Sequence, residues 1–445
     1  MKVIIGRLRV KEEMLRNPAS WVAWSIMSFY SVLQLLLQGS VGVIAEGIKD
    51  SFNTDATGVS LLSSSFFISY ILMQIPAGMI YDRFGIRRVA IIANSILVLG
   101  CLGLAFSPNL ETAILSRVVI GFGASFGFVG LMFGIKMWFP LRQFAAIAAI
   151  AECLCMVGVA TSNNILSIIT LRFGWRVALG FCALLAIGQL LVMVMHLEDI
   201  DQKGKSSVRT ANRVLGDLQE VLRRREVWLA GMYSAGVFTI VSVFVALWSI
   251  PFLSSAYKLD IVKATSISST IYIGIAICSL VIGWLAKKFS VASIMSLGSG
   301  LSFTFSIFFL YLNLSISSLY LLAFLMGFCS AAYQLSFTLI AKSIPNRIGG
   351  AAIGATNMIM MLAAPILQTL IGIMISSDEG TGVLDGFEVY LDSSYRFGLG
   401  IIPASIFIAF ATTFYMSDPD GITIKRWVFN YLTLKKTKVV QSVVE

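Results

Sequence analysis

The stretch AIAECLCMVGVATSNN, residues 149–164, sets one carboxylic acid, Glu152, into an otherwise uncharged apolar run. A carboxyl group held that far from water is costly as an anion and cheap once protonated, which is the behaviour a proton carrier needs. Eleven residues on, close to three helical turns, stands Asn163. A second ionisable group, Arg117, lies in the equally apolar SRVVIGFG, residues 116–123. A cation at that depth can accompany a proton, orient a substrate, or hydrogen-bond the carbonyls of a neighbouring helix. Tyr30, Gln34 and Gln38 recur at i, i+4 and i+8, making a polar stripe that can line a pocket or tie helices together. Trp248, Tyr272, Tyr333 and Gln334 also place polar tips in apolar runs and are candidate substrate contacts.

Other chemistries lack their residues. With one histidine, His196, at the end of an apolar run, no Ser/His/Asp or Cys/His constellation can be assembled. The six cysteines all lie inside apolar runs without a C-x-x-C pair, so they read as small core residues, and no metal site is expected. GFGASFG follows no strand and is not a phosphate cradle; its glycines permit close helix approach. No G-x-x-x-x-G-K-[ST] occurs. The chain is therefore not expected to be an enzyme or to use ATP or another cofactor, and its energy source is expected to be an ion gradient, protons in the first place.

The elements that must position these groups are membrane helices. Of 445 residues, 57% are hydrophobic and 13% charged, against about 25% charged in an ordinary soluble domain. A spanning helix needs roughly 20 mostly apolar residues. Twelve candidates fit, at about 20–46, 58–80, 89–107, 110–137, 144–170, 174–196, 227–253, 264–286, 291–312, 317–341, 348–376 and 395–416. The basic N-terminus carries no short apolar core with a cleavage site, so the first run is expected to stay as a helix. Placing both termini in the cytoplasm puts most of the 33 Lys and Arg on the inner side, as the positive-inside rule requires. The net charge of +10 is spread over the inner loops, which removes the main reason to expect nucleic acid as a partner. The expected partners are a small-molecule substrate and the lipid bilayer, with the chain a monomer.

A shift of 205 residues superimposes the two halves of the sequence. GMIYDRFG at 78–85 falls on GWLAKKFS at 283–290, and FPLRQFAAIA at 139–148 on IPNRIGGAAI at 344–353. Glu152 then lands on Asn357 and Asn163 on Gln368, so spans 5 and 11 each carry a polar pair toward one side. The acid belongs to the first copy only. The expected organisation is a six-helix half (1–196), a cytoplasmic linker (197–226), a second six-helix half (227–416) and a cytoplasmic tail (417–445). Repeats of this kind build transporters whose substrate site lies between the halves near the bilayer midplane.

GMIYDRFGIRR at 78–88 fits G-x-x-x-D-[RK]-x-G-x-[RK]-[RK], and it follows the second span. With YILMQIPAG (70–78), RVVIGFGASFG (117–127) and FGWR (173–176), the chain resembles the major facilitator superfamily over essentially its whole length. The resemblance implies an all-α integral membrane protein of twelve helices in two pseudo-symmetric halves, and it matches Arg117 to the family's span 4 arginine. It also implies a conformational latch from Gly78, Asp82, Arg83, Gly85, Arg87 and Arg88. In that reading the arginines hold the loop on the cytoplasmic side, Asp82 pairs across the halves with a basic residue or with the N-terminal dipole of span 11, Gly78 lets the helices approach, and Gly85 permits the turn. The run 116–145 most resembles the bacterial phagosomal transporters, which take up amino acids or nucleosides. LQGSV (37–41) departs from that branch where an arginine is expected in span 1. CMVGVATSNN (155–164) lacks the span 5 signature of drug/proton antiporters.

The expectation is a bacterial inner-membrane secondary transporter that takes up a small polar nutrient, an amino acid or nucleoside, with protons by alternating access. Glu152 and Arg117 would couple the proton. Tyr30, Gln34, Gln38, Asn163, Trp248, Tyr272, Tyr333, Gln334, Asn357 and Gln368 would line the substrate cavity. The alternatives are an exporter of a drug or siderophore-like metabolite and a transport-dead sensor.

Overall fold

A computed structural model describes residues 18–139, 143–198, 219–344, 348–377, 381–384, 387–390 and 392–416. Twelve helices dominate it: α1 (Pro18–Phe52), α2 (Ala56–Phe84), α3 (Ile86–Ala105), α4 (Leu110–Trp138), α5 (Phe144–Phe173), α6 (Trp175–His196), α7 (Arg225–Tyr257), α8 (Ile261–Lys288), α9 (Val291–Tyr311), α10 (Ile316–Ile340), α11 (Gly349–Ser377) and α12 (Asp392–Thr413). Each is long and apolar enough to cross a bilayer, and the chain is a multi-pass membrane protein. Pro140, Arg142, Pro345, Arg347, most of the 197–226 segment and the tail from 417 lie outside the described residues, as do the side chains of Asp82 and Lys287.

The all-helical expectation needs one amendment. Between α11 and α12, β1 (Thr381–Leu384) pairs antiparallel with β2 (Phe387–Tyr390), Leu384 opposite Phe387. The sequence joining them is Asp385-Gly386, a two-residue hairpin signal that an apolarity scan does not register. This hairpin marks one end of the bundle, called here the hairpin side. The other end, where α6 stops at His196 and α7 starts at Arg225, is the linker side.

Polar caps close many turns between helices. Asp55, Asn109 and Asp260 each accept a bond of 2.9 Å from the backbone N–H three residues on, which satisfies donors that a helix start leaves free. Gly85 (φ 82°) and Gly174 (φ 84°) are the whole connection between α2 and α3 and between α5 and α6. Only glycine enters that conformation without strain. Close helix contact depends on small residues, as where Gly121 of α4 lies against the Phe66 carbonyl of α2.

Two helices of the second half are irregular. α7 widens to a π-helix over Ile240–Trp248, and α10 tightens to a 3₁₀ turn over Ala331–Gln334. Such interruptions alter which carbonyls are free and commonly mark functional positions. The part of α4 that the 205-residue shift pairs with the α10 turn, residues 126–129, is uninterrupted helix.

The halves touch closely on the hairpin side. A Cβ added at Gly42 of α1 would lie 2.9 Å from the Ala246 carbonyl of α7, and one at Gly372 of α11 would lie 2.9 Å from the Ala56 carbonyl of α2. Toward the linker side, a Cβ at Gly78 of α2, Gly283 of α8 or Gly354 of α11 would meet nothing within 4 Å. Among the described residues, the close backbone contacts between the halves therefore lie on the hairpin side.

Candidate functional site

Polar side chains concentrate beside these close contacts. Glu152 sits two turns into α5, half-buried, and its Oε1 accepts a hydrogen bond of 2.9 Å from the Tyr333 hydroxyl of α10. Tyr333 belongs to the 3₁₀ turn, and the Phe238 ring lies 4.9 Å from its own. The next residue in that turn, Gln334, donates from Nε2 to the Ser279 hydroxyl of α8 at 2.7 Å. The tight turn thus directs two successive side chains to two different helices. One of them crosses between the halves.

A second crossing bond joins α11 to α2. Asn357 donates from Nδ2 to Oε1 of Gln74 at 2.9 Å. Under the 205-residue shift Gln74 corresponds to Ser279 and Asn357 to Glu152, so the crossings occupy related positions in the two copies. Nearer the hairpin side the same helices meet again: the Ser64 hydroxyl lies 3.1 Å from that of Thr369 and 3.5 Å from Gln368 Oε1, and Thr57 donates to Ser376 at 3.2 Å. Gln368 donates from Nε2 to the Ser242 carbonyl at 2.6 Å, inside the π-helical stretch of α7. On the opposite flank, Asn163 of α5 and Tyr272 of α8 meet at Gly39 of α1, where an added Cβ would lie 3.9 Å from Asn163 Nδ2 and 3.5 Å from the Tyr272 hydroxyl. All four polar residues of spans 5 and 11 therefore contact the other half. Hydrogen bonds between membrane helices average roughly 0.6 kcal/mol, so each of the bonds between neutral groups biases the conformational equilibrium by about threefold and none locks it.

Three expected site residues are used for packing instead. Tyr30 is fully buried and donates to the Gly123 carbonyl at 2.7 Å. Gln34 donates to the Tyr70 hydroxyl and accepts from the Phe128 N–H, both at 2.8 Å. Arg117 is fully buried within the first half, donating from Nη1 to the Leu37 carbonyl at 2.6 Å with its guanidinium 5.1 Å from the centre of the Phe66 ring. Its contacts are with α1 and α2, and the structure does not bring it to Glu152. A cation inside a helix bundle is stabilised by carbonyls and ring faces; here α1 supplies one carbonyl and α2 one ring face, and Arg117 Nε and Nη2 are buried without a hydrogen-bond partner.

Gln38 and Trp248 are buried, and Gln38 Oε1 and Trp248 Nε1 have no hydrogen-bond partner; nor do Asn163 Oδ1 and Gln74 Nε2. A buried polar atom left unmatched costs about 1–3 kcal/mol, so such atoms need a reason. Of the latch residues, Gly85 makes the expected turn, Arg87 donates to the Val194 carbonyl at 3.0 Å, and Arg83 lies over the Phe84 ring. Arg88 is exposed, and the close approach expected at Gly78 is not made in this state. Gln74, Ser279, Ser64 and Ser242 were not singled out from sequence. Applying the 205-residue shift to span 2 as well as span 5 pairs Gln74 with Ser279 and would have found two of them. A groove of about 420 Å³ between α9 and α12, lined by Ser293, Leu297, Gly300 and Phe410 among others, is remote from these residues and lacks ionisable side chains. Among the described residues no group of His, Cys, Asp and Glu is arranged to hold a metal.

A sequence profile of the Major Facilitator Superfamily matches residues 26–368. The chain belongs to that superfamily. It is 25% identical over 182 residues to the hexuronate transporter of Bacillus subtilis, a match covering 40% of this chain and 42% of that one. The match thus spans less than half of that relative's length. Among solved structures, a bacterial homologue of the human lysosomal transporter Spinster, inward-facing and unoccupied, aligns with a TM-score of 0.70 at 17% identity, covering 91% of this chain and 99% of that one. A D-xylose–proton symporter aligns with a TM-score of 0.69 at 14% identity, over 91% and 99% of the two chains. These likenesses establish the fold of a membrane transporter.

Proposed function

We propose that this facilitator carries a small polar nutrient into the cell together with a proton, by alternating access. The observation that carries the reading is the Tyr333–Glu152 bond across the halves. As an anion, Glu152 accepts a charge-assisted hydrogen bond, which is roughly twice as strong as the bond a neutral carboxyl would accept. Protonation therefore loosens α5 from α10 where the halves meet, and release of the proton restores the contact. That is the coupling a transporter needs, because the proton acts on the same surfaces that must separate. Protons also supply the driving force in the D-xylose symporter with the related fold.

The positive-inside pattern supports a cytoplasmic linker side, and the open space at Gly78, Gly283 and Gly354 supports an inward-facing conformation in a bacterial inner membrane. The phagosomal-transporter resemblance supports uptake of an amino acid or nucleoside by a monomer. In the opposite, outward-facing state the linker-side ends close, and Asp82 at the end of α2 latches against α11. Asp82→Asn should then favour the inward-open form, and unchanged accessibility of linker-side cysteine labels would contradict the latch. The test of the main reading is uptake of radiolabelled amino acids and nucleosides into proteoliposomes under an imposed proton gradient. Accumulation that follows the gradient supports it, and indifference to gradients of either direction rejects it.

A further inference from the structure

The cluster of unmatched polar atoms near the hairpin-side seal points to the charge of the cargo. At Gly39 four helices meet: a Cβ there would lie 3.5 Å from the Tyr272 hydroxyl of α8, 3.8 Å from the Ala246 Cα of α7 and 3.9 Å from Asn163 Nδ2 of α5. Thr265, Ser269 and Tyr272 lie at i, i+4 and i+7, on one face of α8. That face is fixed to α7 beside Trp248, because the Ser249 and Ser268 hydroxyls are 2.6 Å apart. Around this junction Asn163 Oδ1, Trp248 Nε1, Thr265 Oγ1 and Ser269 Oγ are all buried without a hydrogen-bond partner, in residues 5% exposed or less. They offer donors and acceptors, and none is ionisable.

The surroundings add no positive charge. The sequence holds no Asp, Glu, Lys or Arg over 227–257, 264–286, 289–341 or 348–377, so the spans of the second half are uncharged between their ends. In the first half the Arg117 guanidinium is held by the Leu37 carbonyl and the Phe66 ring, among α1, α2 and α4, with its Nε and Nη2 unmatched; neither contact is with a residue of the second half. The ionisable group at the junction between the halves is an acid, Glu152. A carboxylate, sulfonate or phosphate entering here would lose its water without gaining a cation, which is strongly unfavourable.

We propose that the cargo is an uncharged, hydroxyl-rich solute of the sugar or nucleoside kind, hydrogen-bonded by Asn163, Tyr272, Thr265 and Ser269 with Trp248 as donor and ring face. Hydroxyls and ring amides satisfy such a set, and stacking on an indole suits both sugar C–H faces and flat bases. This rests on the reading that cargo passes between the halves. It keeps the nucleoside of that reading, sets aside the amino acid with its charged ends, and adds sugars as the other uncharged candidates.

The test is equilibrium binding to the purified full-length chain at a single pH and without a gradient, using matched probes: D-glucose against D-glucuronate, uridine against uridine monophosphate, and spermidine as a cation. One uncharged probe should bind, with its anionic counterpart at least about tenfold weaker. Asn163→Leu should weaken that binding about tenfold. Trp248→Phe, a milder change that keeps the ring, should weaken it less. Preference for an anionic probe or for spermidine, binding of none of the uncharged probes, or unchanged binding in both folded variants would overturn the proposal. Because no gradient is present, failure of proton coupling leaves this result intact, and failure here leaves coupling open to its own test.

Discussion

Two of the bonds between the halves start from equivalent residues of the repeat, Glu152 and Asn357, and are built differently. On the α2/α11 flank, Gln74 and Asn357 bond each other directly, and both are permanently neutral. On the α5/α8 flank their counterparts, Ser279 and Glu152, are each taken by a residue of α10, Gln334 and Tyr333. The 3₁₀ turn of α10, which has no equivalent in α4, makes this possible. Under the proposed coupling, one flank responds to a proton through its acid, whereas the other holds only neutral groups. Duplication supplies the symmetric frame, and one acid with one tightened turn makes one flank a switch.

The comparison can be broken most severely at the acid. Glu152→Gln should reduce proton-driven accumulation by more than about tenfold while counterflow exchange persists; equal loss of both in a folded variant would make Glu152 structural. Gly42→Leu comes next. Its side chain would collide with the Ala246 and Leu247 carbonyls at 2.9 and 3.1 Å, so the hairpin-side seal should fail and linker-side opening should drop, as read by cysteine accessibility. Tyr333→Phe removes one hydrogen bond to a carboxyl group, worth about 1.5 kcal/mol at the low end for a charged acceptor. Its driven uptake should fall about tenfold, and the effect should shrink at low pH, where Glu152 is protonated. Asn357→Leu should have the smallest consequence, about a threefold shift in the inward-open population, on the roughly 0.6 kcal/mol scale of such bonds. That shift should be the same at pH 5.5 and pH 8. A pH-dependent shift would remove the distinction between the flanks.

Much of this arrangement could be read from the chain itself. Spans follow from length and apolarity, and the repeat follows from pairing Gly78 with Gly283 and Glu152 with Asn357. The polar pairs on spans 5 and 11 face the other half because an unmatched polar group in a membrane helix must find a partner. Three things were not legible. The stripe of Tyr30, Gln34 and Gln38 has the spacing of a lining, but spacing cannot say whether a neighbouring helix approaches within bonding distance, and α4 does so at Gly123 and Gly127. Arg117 could not be separated from a functional cation without knowing where Leu37 and Phe66 fall. The 3₁₀ segment lies in ordinary apolar sequence, and the π-helical stretch ends three residues before Pro251, which cannot pair with the Leu247 carbonyl but does not by itself say where the helix widens.

The most direct measurement is the distance between spin labels on the linker-side ends of α2 and α11, recorded by pulsed electron resonance across pH 5.5 to 8 in lipid nanodiscs. The account predicts that the wild-type distribution moves with pH, that Asn357→Leu keeps this movement about a displaced midpoint, and that Glu152→Gln abolishes it. A Glu152→Gln variant whose linker-side distances still follow pH as the wild type does would contradict the central claim.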